Sequence, residues 1–157
     1  MNMYNADKEL EQSGLILPPA SEPKGLYKPC LIDGNHLYLS GHLPLQNDNT
    51  LITGRIGKEL TKEDGKLAAR QVGLNMLTTI KKNFGSLNRI KRVIKIFGMV
   101  NCVPEFDQHP YIINGCSELF AGIWGLDNGV GTRSAAGFSS LPGNVPVEIE
   151  AIFELYE

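Results

Sequence analysis

Apolar residues recur along the chain with two different periods, and the periods separate helices from strands. Between Thr61 and Gly85 the positions Ala69, Val72, Gly73, Met76, Leu77, Ile80 and Phe84 fall three and four residues apart. At about 100° per residue they share one side of a helix. Arg70, Gln71, Asn75, Thr78, Lys81 and Lys82 take the other side. Thr61, with Asp64 three residues later, has the form of a capping box, and Gly85 supplies the stop. Leu67 and Leu74 fall on the polar side, which hints at a contact beyond a helix on a sheet. A second stripe, Ile112, Ile113, Cys116, Leu119, Phe120, Ile123 and Trp124, predicts another helix. Asp107 can cap it, Pro110 suits its first turn, and Gly125 ends it. A short polar helix is expected over Asn5 to Ser13, before Gly14.

The alternating stretches read as strands. Val147, Ile149, Ala151 and Phe153 lie on one face, with Glu148, Glu150, Ile152 and Glu154 on the other, so this strand is half-buried. Ile90 to Val103 is rich in Val, Ile and Phe. Alternation puts Ile94, Ile96, Val100 and Cys102 on one face and Val93, Phe97 and Met99 on the other. A strand apolar on both faces needs two covers; helices supply one, and another subunit could supply the second. Cys30 to Ile32 and His36 to Ser40, joined by Asp33-Gly34-Asn35, predict a β-hairpin. Leu51 to Ile56 is expected as a short edge strand after a polar loop with Asp48 and Asn49, and Thr132 to Ser139 as a further strand. Three prolines between Leu17 and Pro23 make that segment an extended leader. The order of elements predicts an α+β fold, a mixed sheet with two helices packed on one face.

Composition adds bounds. A chain of 157 residues, 42% hydrophobic and 20% charged, is that of one globular domain. No apolar run reaches the roughly 18 residues of a membrane helix. Three unpaired-looking cysteines, Cys30, Cys102 and Cys116, without CxxC spacing, read as small buried hydrophobes of a protein in a reducing cytoplasm. Net charge is −2, but from Gly65 to Pro104 there are eight Lys or Arg and no acid; all 17 acidic residues lie elsewhere. Such a block can mark a nucleic-acid surface or only a solvated helix face. It lacks the interleaved aromatics of a nucleic-acid platform, which favours the solvated face.

Candidate chemistry is sparse. Gly54-Arg55-Ile56-Gly57 lacks the ending of a phosphate loop, His36, His42 and His109 have no metal-ligand spacing, and no GxSxG elbow occurs. No metal site is expected. Arg133 interrupts a strand of small residues and would suit bidentate binding of a carboxylate. Glu148, on the polar face of the next strand, could hold a water. From composition and spacing alone, an Arg133–Glu148 ion pair on the sheet surface is the simpler reading.

Three segments carry a family resemblance. Asn35 to Leu45, which contains Ser40-Gly41-His42-Leu43-Pro44, is similar to the "lyvSGqiPl" strand of the YjgF/RidA family, whose members were once labelled L-PSP endoribonucleases. Ala69 to Leu77 resembles its "qtrqvleNl" helix. Arg133-Ser134, Leu141-Pro142 and Val147 to Ile152 resemble its "RS…LP…veIEaia" signature. The likeness spans Tyr27 to Phe153. It implies a single domain over residues 27–157, preceded by a helix and Pro-rich leader over 1–26, as in a longer bacterial subgroup named endoribonuclease-like or chorismate mutase-like.

The resemblance implies a homotrimer around a barrel-like core, with ligand clefts between subunits. It implies hydrolysis of reactive enamine and 2-imino acid intermediates of the 2-aminoacrylate type to 2-keto acids and ammonia, with no metal or organic cofactor. Arg133 would bind the substrate carboxylate and Glu148 would position the attacking water; these are the catalytic candidates. Tyr27, Ser40, Asn114 and the backbone at Ala135 would line the substrate site. Ala135 stands where the family often has Cys, His42 replaces a Gln, and a longer loop, Trp124 to Thr132, precedes Arg133. Alternatives are a non-catalytic regulatory trimer that binds a small carboxylate metabolite, and an RNA-binding or endoribonuclease-like protein.

Overall fold

Local signals place the helices before packing is considered. The computed structural model describes residues 4–157. Helix α1 (Ala6–Ser13) starts where Asn5 Oδ1 accepts from Lys8 N and stops at Gly14. Helix α2 (Lys62–Phe84) has the reciprocal Thr61–Asp64 capping box and ends at Gly85 with φ 75°. Helix α3 (His109–Gly129) departs from expectation at both ends. Its N-cap is Gln108, not Asp107, and that side chain accepts from Lys62 instead of capping. Gly125 does not end it: at φ 78° and ψ 166° it kinks the helix, which resumes to Gly129. The segment expected as a long loop before Arg133 is therefore mostly a helical turn.

The strands are β1 (Cys30–Asp33), β2 (His36–His42), β3 (Ile90–Asn101), β4 (Thr132–Phe138) and β5 (Val147–Leu155). They form one mixed sheet in the order β1-β2-β5-β3-β4, with β3–β4 parallel and every other pair antiparallel. The α+β expectation and the hairpin hold. The expected strand Leu51 to Ile56 does not form: isolated bridges join Leu45 to Leu51 and Ile56 to Leu60 and Cys102. Gly54, at φ 128°, turns the chain out of any ladder there.

Helices α2 and α3 cover one face of the sheet. Between the layers lie Val147, Ile149, Ala151 and Phe153 of β5, as alternation predicted, with Leu37, Leu77, Ile80, Ile112 and Phe120. Phe120 and Trp124 pack on Phe153 with ring centroids 5.7 Å away, and Trp124 donates to the Leu87 carbonyl. In β3, register shifts between Ile90 and Arg92 and between Val93 and Lys95 move Val93 onto the core face beside Ile96 and Val100. Strict alternation had put it with Phe97 and Met99. The opposite, helix-free face keeps Leu31, Tyr38, Phe97 and Ile152 at least partly exposed.

Helix α1 buries Ala6 and Leu10 in the same core, packing beside α3. Its Asp7 accepts from Ser86 Oγ, Leu87 N and Lys81 Nζ. Burial alone would raise the Asp7 pKa, yet these donors together hold it below the usual range. Leu74 is buried, because the leader crosses α2 there and Thr78 Oγ1 donates to the Pro18 carbonyl, whereas Leu67 stays exposed. Cys102 and Cys116 are buried and Cys30 half-buried; burial pushes all three thiols up. No helix among the described residues is long and apolar enough to cross a membrane.

Candidate functional site

Alternation along β5 sends Glu148 and Glu150 to the helix-free face of the sheet. Next to them the β2–β5 register shifts between Leu39 and His42, so β2 bulges at Ser40-Gly41. The bulge brings the Gly41 backbone under the Glu148 carboxylate; a Cβ at Gly41 would collide with it. Tyr27, Ser40, Glu148 and Glu150 thus share one cleft of about 520 Å³, with leader residues Ser21 to Lys24 along one side. Ser40 Oγ donates to the Lys28 carbonyl at 2.6 Å, which ties the segment just after the leader to the strand.

Glu148 is half-buried, and among the described residues no cation pairs with it. Burial first, and the like charge of Glu150 second, raise its pKa. A carboxylate so placed is a stronger proton acceptor than a solvated one.

His42 sits behind this wall, buried. The Ser40 carbonyl can only accept, so Nδ1–H donates to it at 2.6 Å, and Nε2 accepts from Thr79 Oγ1 at 2.7 Å. Burial lowers the ring's pKa, outweighing the Ser40 carbonyl, and keeps it neutral. Two further residues of α2 hold the same loop: Gln71 and Asn75 both donate to the Leu45 carbonyl, at 2.6 and 2.8 Å. Asn75 is 3% exposed, not solvated as its helical phase suggested. The signal in the sequence was the spacing of four shared by Gln71, Asn75 and Thr79, a polar seam on an otherwise apolar flank.

The neutral ring has a measurable consequence. An unfolded histidine takes up a proton below about pH 6.5, whereas folded His42 resists it. Stability is therefore complete above that pH and declines as pH falls toward the lower folded pKa. Urea unfolding between pH 8 and 5 should show a steeper acid-side decline for wild type than for His42→Gln. Equal slopes would show that His42 does not carry it.

The other candidates form a second cluster. Arg133 pairs with Ile96 in the β3–β4 register and so faces the helices. Its Nη1 donates to Asn114 Oδ1 at 2.6 Å and to Ser117 Oγ at 3.1 Å, both on α3. Ala135, two residues on, shares that face and packs against the core. Two neutral acceptors aim the guanidinium without neutralising it. Among the described residues no carboxylate pairs with Arg133, and the ion pair with Glu148 cannot form, because the two side chains leave opposite faces of the sheet. One chain thus holds Tyr27, Ser40 and Glu148 in a cleft and Arg133, Asn114 and Ala135 at the far edge. Sequence reasoning missed the α2 seam, Ser117 and the leader wall.

Comparison with known proteins agrees with this architecture. Residues 7–146 match the family model described as "YjgF/chorismate_mutase-like, putative endoribonuclease". The chain is 35% identical over 93% of its length to Protein TCP17 of Trypanosoma cruzi, covering 91% of that protein. It is 29% identical over 86% of its length to a 2-iminobutanoate/2-iminopropanoate deaminase of Dermatophagoides farinae, covering 90% of it. The crystal structure of Atu1372, a protein of unknown function from Agrobacterium tumefaciens, superposes with a TM-score of 0.86 at 38% identity, over 96% of this chain and 94% of that one. With its five-stranded mixed sheet, its helix layer and the Ser-Gly, Arg-Ser and Glu-Ile-Glu segments in place, the chain belongs to the YjgF/RidA family.

Proposed function

We propose that the protein is an imine deaminase, which hydrolyses 2-imino acids to 2-keto acids and ammonia. The observation that carries this reading is the Glu148 carboxylate, unpaired and half-buried over the Gly41 backbone in a cleft that also holds Tyr27 and Ser40. The deaminase name of the mite relative supports it.

In this mechanism Glu148 accepts a proton from water as the oxygen attacks the imine carbon. The C–N π electrons move to nitrogen, which takes that proton back from Glu148. In the resulting carbinolamine Glu148 removes the hydroxyl proton and passes it to the amino nitrogen; the C–N bond breaks, ammonia leaves, the 2-keto acid remains, and Glu148 is again a carboxylate. Arg133 binds the substrate carboxylate by charge-assisted bonds. Within one chain it lies across the sheet from Glu148, so the complete site needs two copies. Three copies around their helix-free faces, where Leu31 and Tyr38 stand 53% and 40% exposed, would supply the second cover for β3 and bring one copy's Arg133 edge to the next copy's cleft. The small carboxylate metabolite binds between subunits, and the reaction uses no cofactor.

The test generates 2-iminopropanoate in place with an amino acid oxidase and traps it with semicarbazide. Pyruvate gives the same semicarbazone more slowly, so wild type should lower the initial rate of semicarbazone formation, and Arg133→Ala should not. Co-expression of Arg133→Ala with Glu148→Gln should restore activity, because random mixing leaves about a quarter of the shared sites with both native residues. Wild-type protein no faster than buffer would overturn the proposal. Among the described residues the three histidines are not brought together for RNA hydrolysis: both ring nitrogens of His42 are engaged inside the fold, His109 lies against Cys102, and His36 stands opposite Glu154 at the start of β2.

A further inference from the structure

In one chain the cleft measures about 520 Å³, part of which the neighbouring copy takes up in the assembly proposed above. At the ~30 Å³ of a liquid water per heavy atom, a six-heavy-atom imino acid needs no more than about 180 Å³. Clefts of this size hold ligands several times larger. The surplus has a defined character. Beyond Gly41 the wall is made by Leu43, Leu45 and Leu51, with Pro142 and the leader's Pro23. Leu45 and Leu51 are brought side by side by a bridge across a tight turn, in which Gln46 N donates to the Thr50 carbonyl and Asp48 accepts from Thr50. Leu51 also packs over the Gly143 backbone. Gln71 and Asn75 fix Leu45 from below, and the Glu22–Lys82 ion pair at 2.8 Å tethers the leader to α2. The apolar wall is therefore held on both sides.

We infer that these residues form a side-chain pocket, and that the enzyme acts on 2-imino acids with branched aliphatic or aromatic side chains in preference to the three-carbon imine. This rests on the deaminase reading above. The reacting carbon sits by Glu148 and Gly41, the carboxylate turns to Arg133 of the adjoining copy, and the side chain runs toward Leu45 and Leu51. Each methylene taken from water into such a wall contributes about fourfold. The imine derived from leucine carries three more carbons than that from alanine, so its kcat/KM should be about 10- to 100-fold higher.

The experiment measures kcat/KM for imines made in place from L-alanine, L-leucine and L-phenylalanine, with wild type, Leu51→Asp and Leu45→Ala. In parallel, calorimetry follows binding of the stable products pyruvate, 4-methyl-2-oxopentanoate and phenylpyruvate. Wild type should favour the leucine- and phenylalanine-derived imines, and the ratio should fall below about threefold in Leu51→Asp, with a smaller drop in Leu45→Ala. A wild-type ratio at or below one, or a ratio unchanged in both folded variants, overturns the pocket. If no imine is hydrolysed, the deaminase reading fails separately. The pocket then stands if 4-methyl-2-oxopentanoate binds more tightly than pyruvate and Leu51→Asp abolishes the difference, and falls if it does not.

Discussion

Glu148→Gln is expected to lower kcat for imine hydrolysis by about 10²- to 10⁴-fold, the range lost when a positioned general base is removed. Glutamine keeps the shape that lies over Gly41 and cannot accept the proton of the attacking water. The fold should not suffer. The Glu148 pKa is raised in the folded state, so the carboxyl contributes most stability below its unfolded pKa and loses it as pH rises through the folded value. At neutral pH the charged form is a net cost, and glutamine removes it. Unfolding midpoints at pH 7 should therefore match or exceed wild type while turnover collapses. The same shift fixes the acid limb of the rate profile. Only the ionised carboxylate is a base, so kcat/KM should fall on acidification with a midpoint above the ordinary glutamate value of about 4.3. Glu150→Gln removes the like charge and should move that midpoint down while leaving burial in force. A Glu148→Gln enzyme with wild-type kcat would sink the assignment of the base.

How far these residues could be read beforehand differs between the two clusters. Alternation alone put Glu148 on the polar face of its strand, and the Ser-Gly and Arg-Ser segments marked Ser40 and Arg133, because strand period and short motifs are local properties. The spatial relation between Arg133 and Glu148 was not local. It follows from the register that sets Arg133 opposite Ile96 on the helix face and Glu148 opposite Met99 on the other. No spacing along the chain encodes that register. Bulges defeated alternation in β3 for the same reason, since one extra residue moves Val93 across the sheet. Asn75 was misplaced because helical phase reports only which side a residue faces. Whether that side meets water depended on the leader and on the loop at Leu45, which are distant in sequence.

Gly115→Ala should produce the largest loss of stability, about 2–4 kcal/mol. Gly115 is where α3 crosses α2. A Cβ there would run into the Lys66 carbonyl and lie 3.1 Å from the Arg70 nitrogen, both main-chain atoms of α2. A side chain can change rotamer to relieve such a clash, but a helix backbone has to move as a unit. Separation of α2 from α3 would open the layer that covers Leu77, Ile80, Ile112 and Phe120, all fully buried. It would also shift Gln71, Asn75 and Thr79, so the loop that walls the cleft would loosen with the core. Gly122 supplies the control within the same helix. Nothing lies within 4 Å of a Cβ at that position. There alanine should act through helix propensity alone and stabilise by about 0.5–1 kcal/mol. Urea unfolding of the two variants separates the effects: opposite signs show that close approach of the helices, and not the loss of a glycine, sets the cost. A Gly115→Ala protein as stable as wild type would mean that the two helices can part without penalty, and that the α2 seam is not the rigid support from which the cleft is hung.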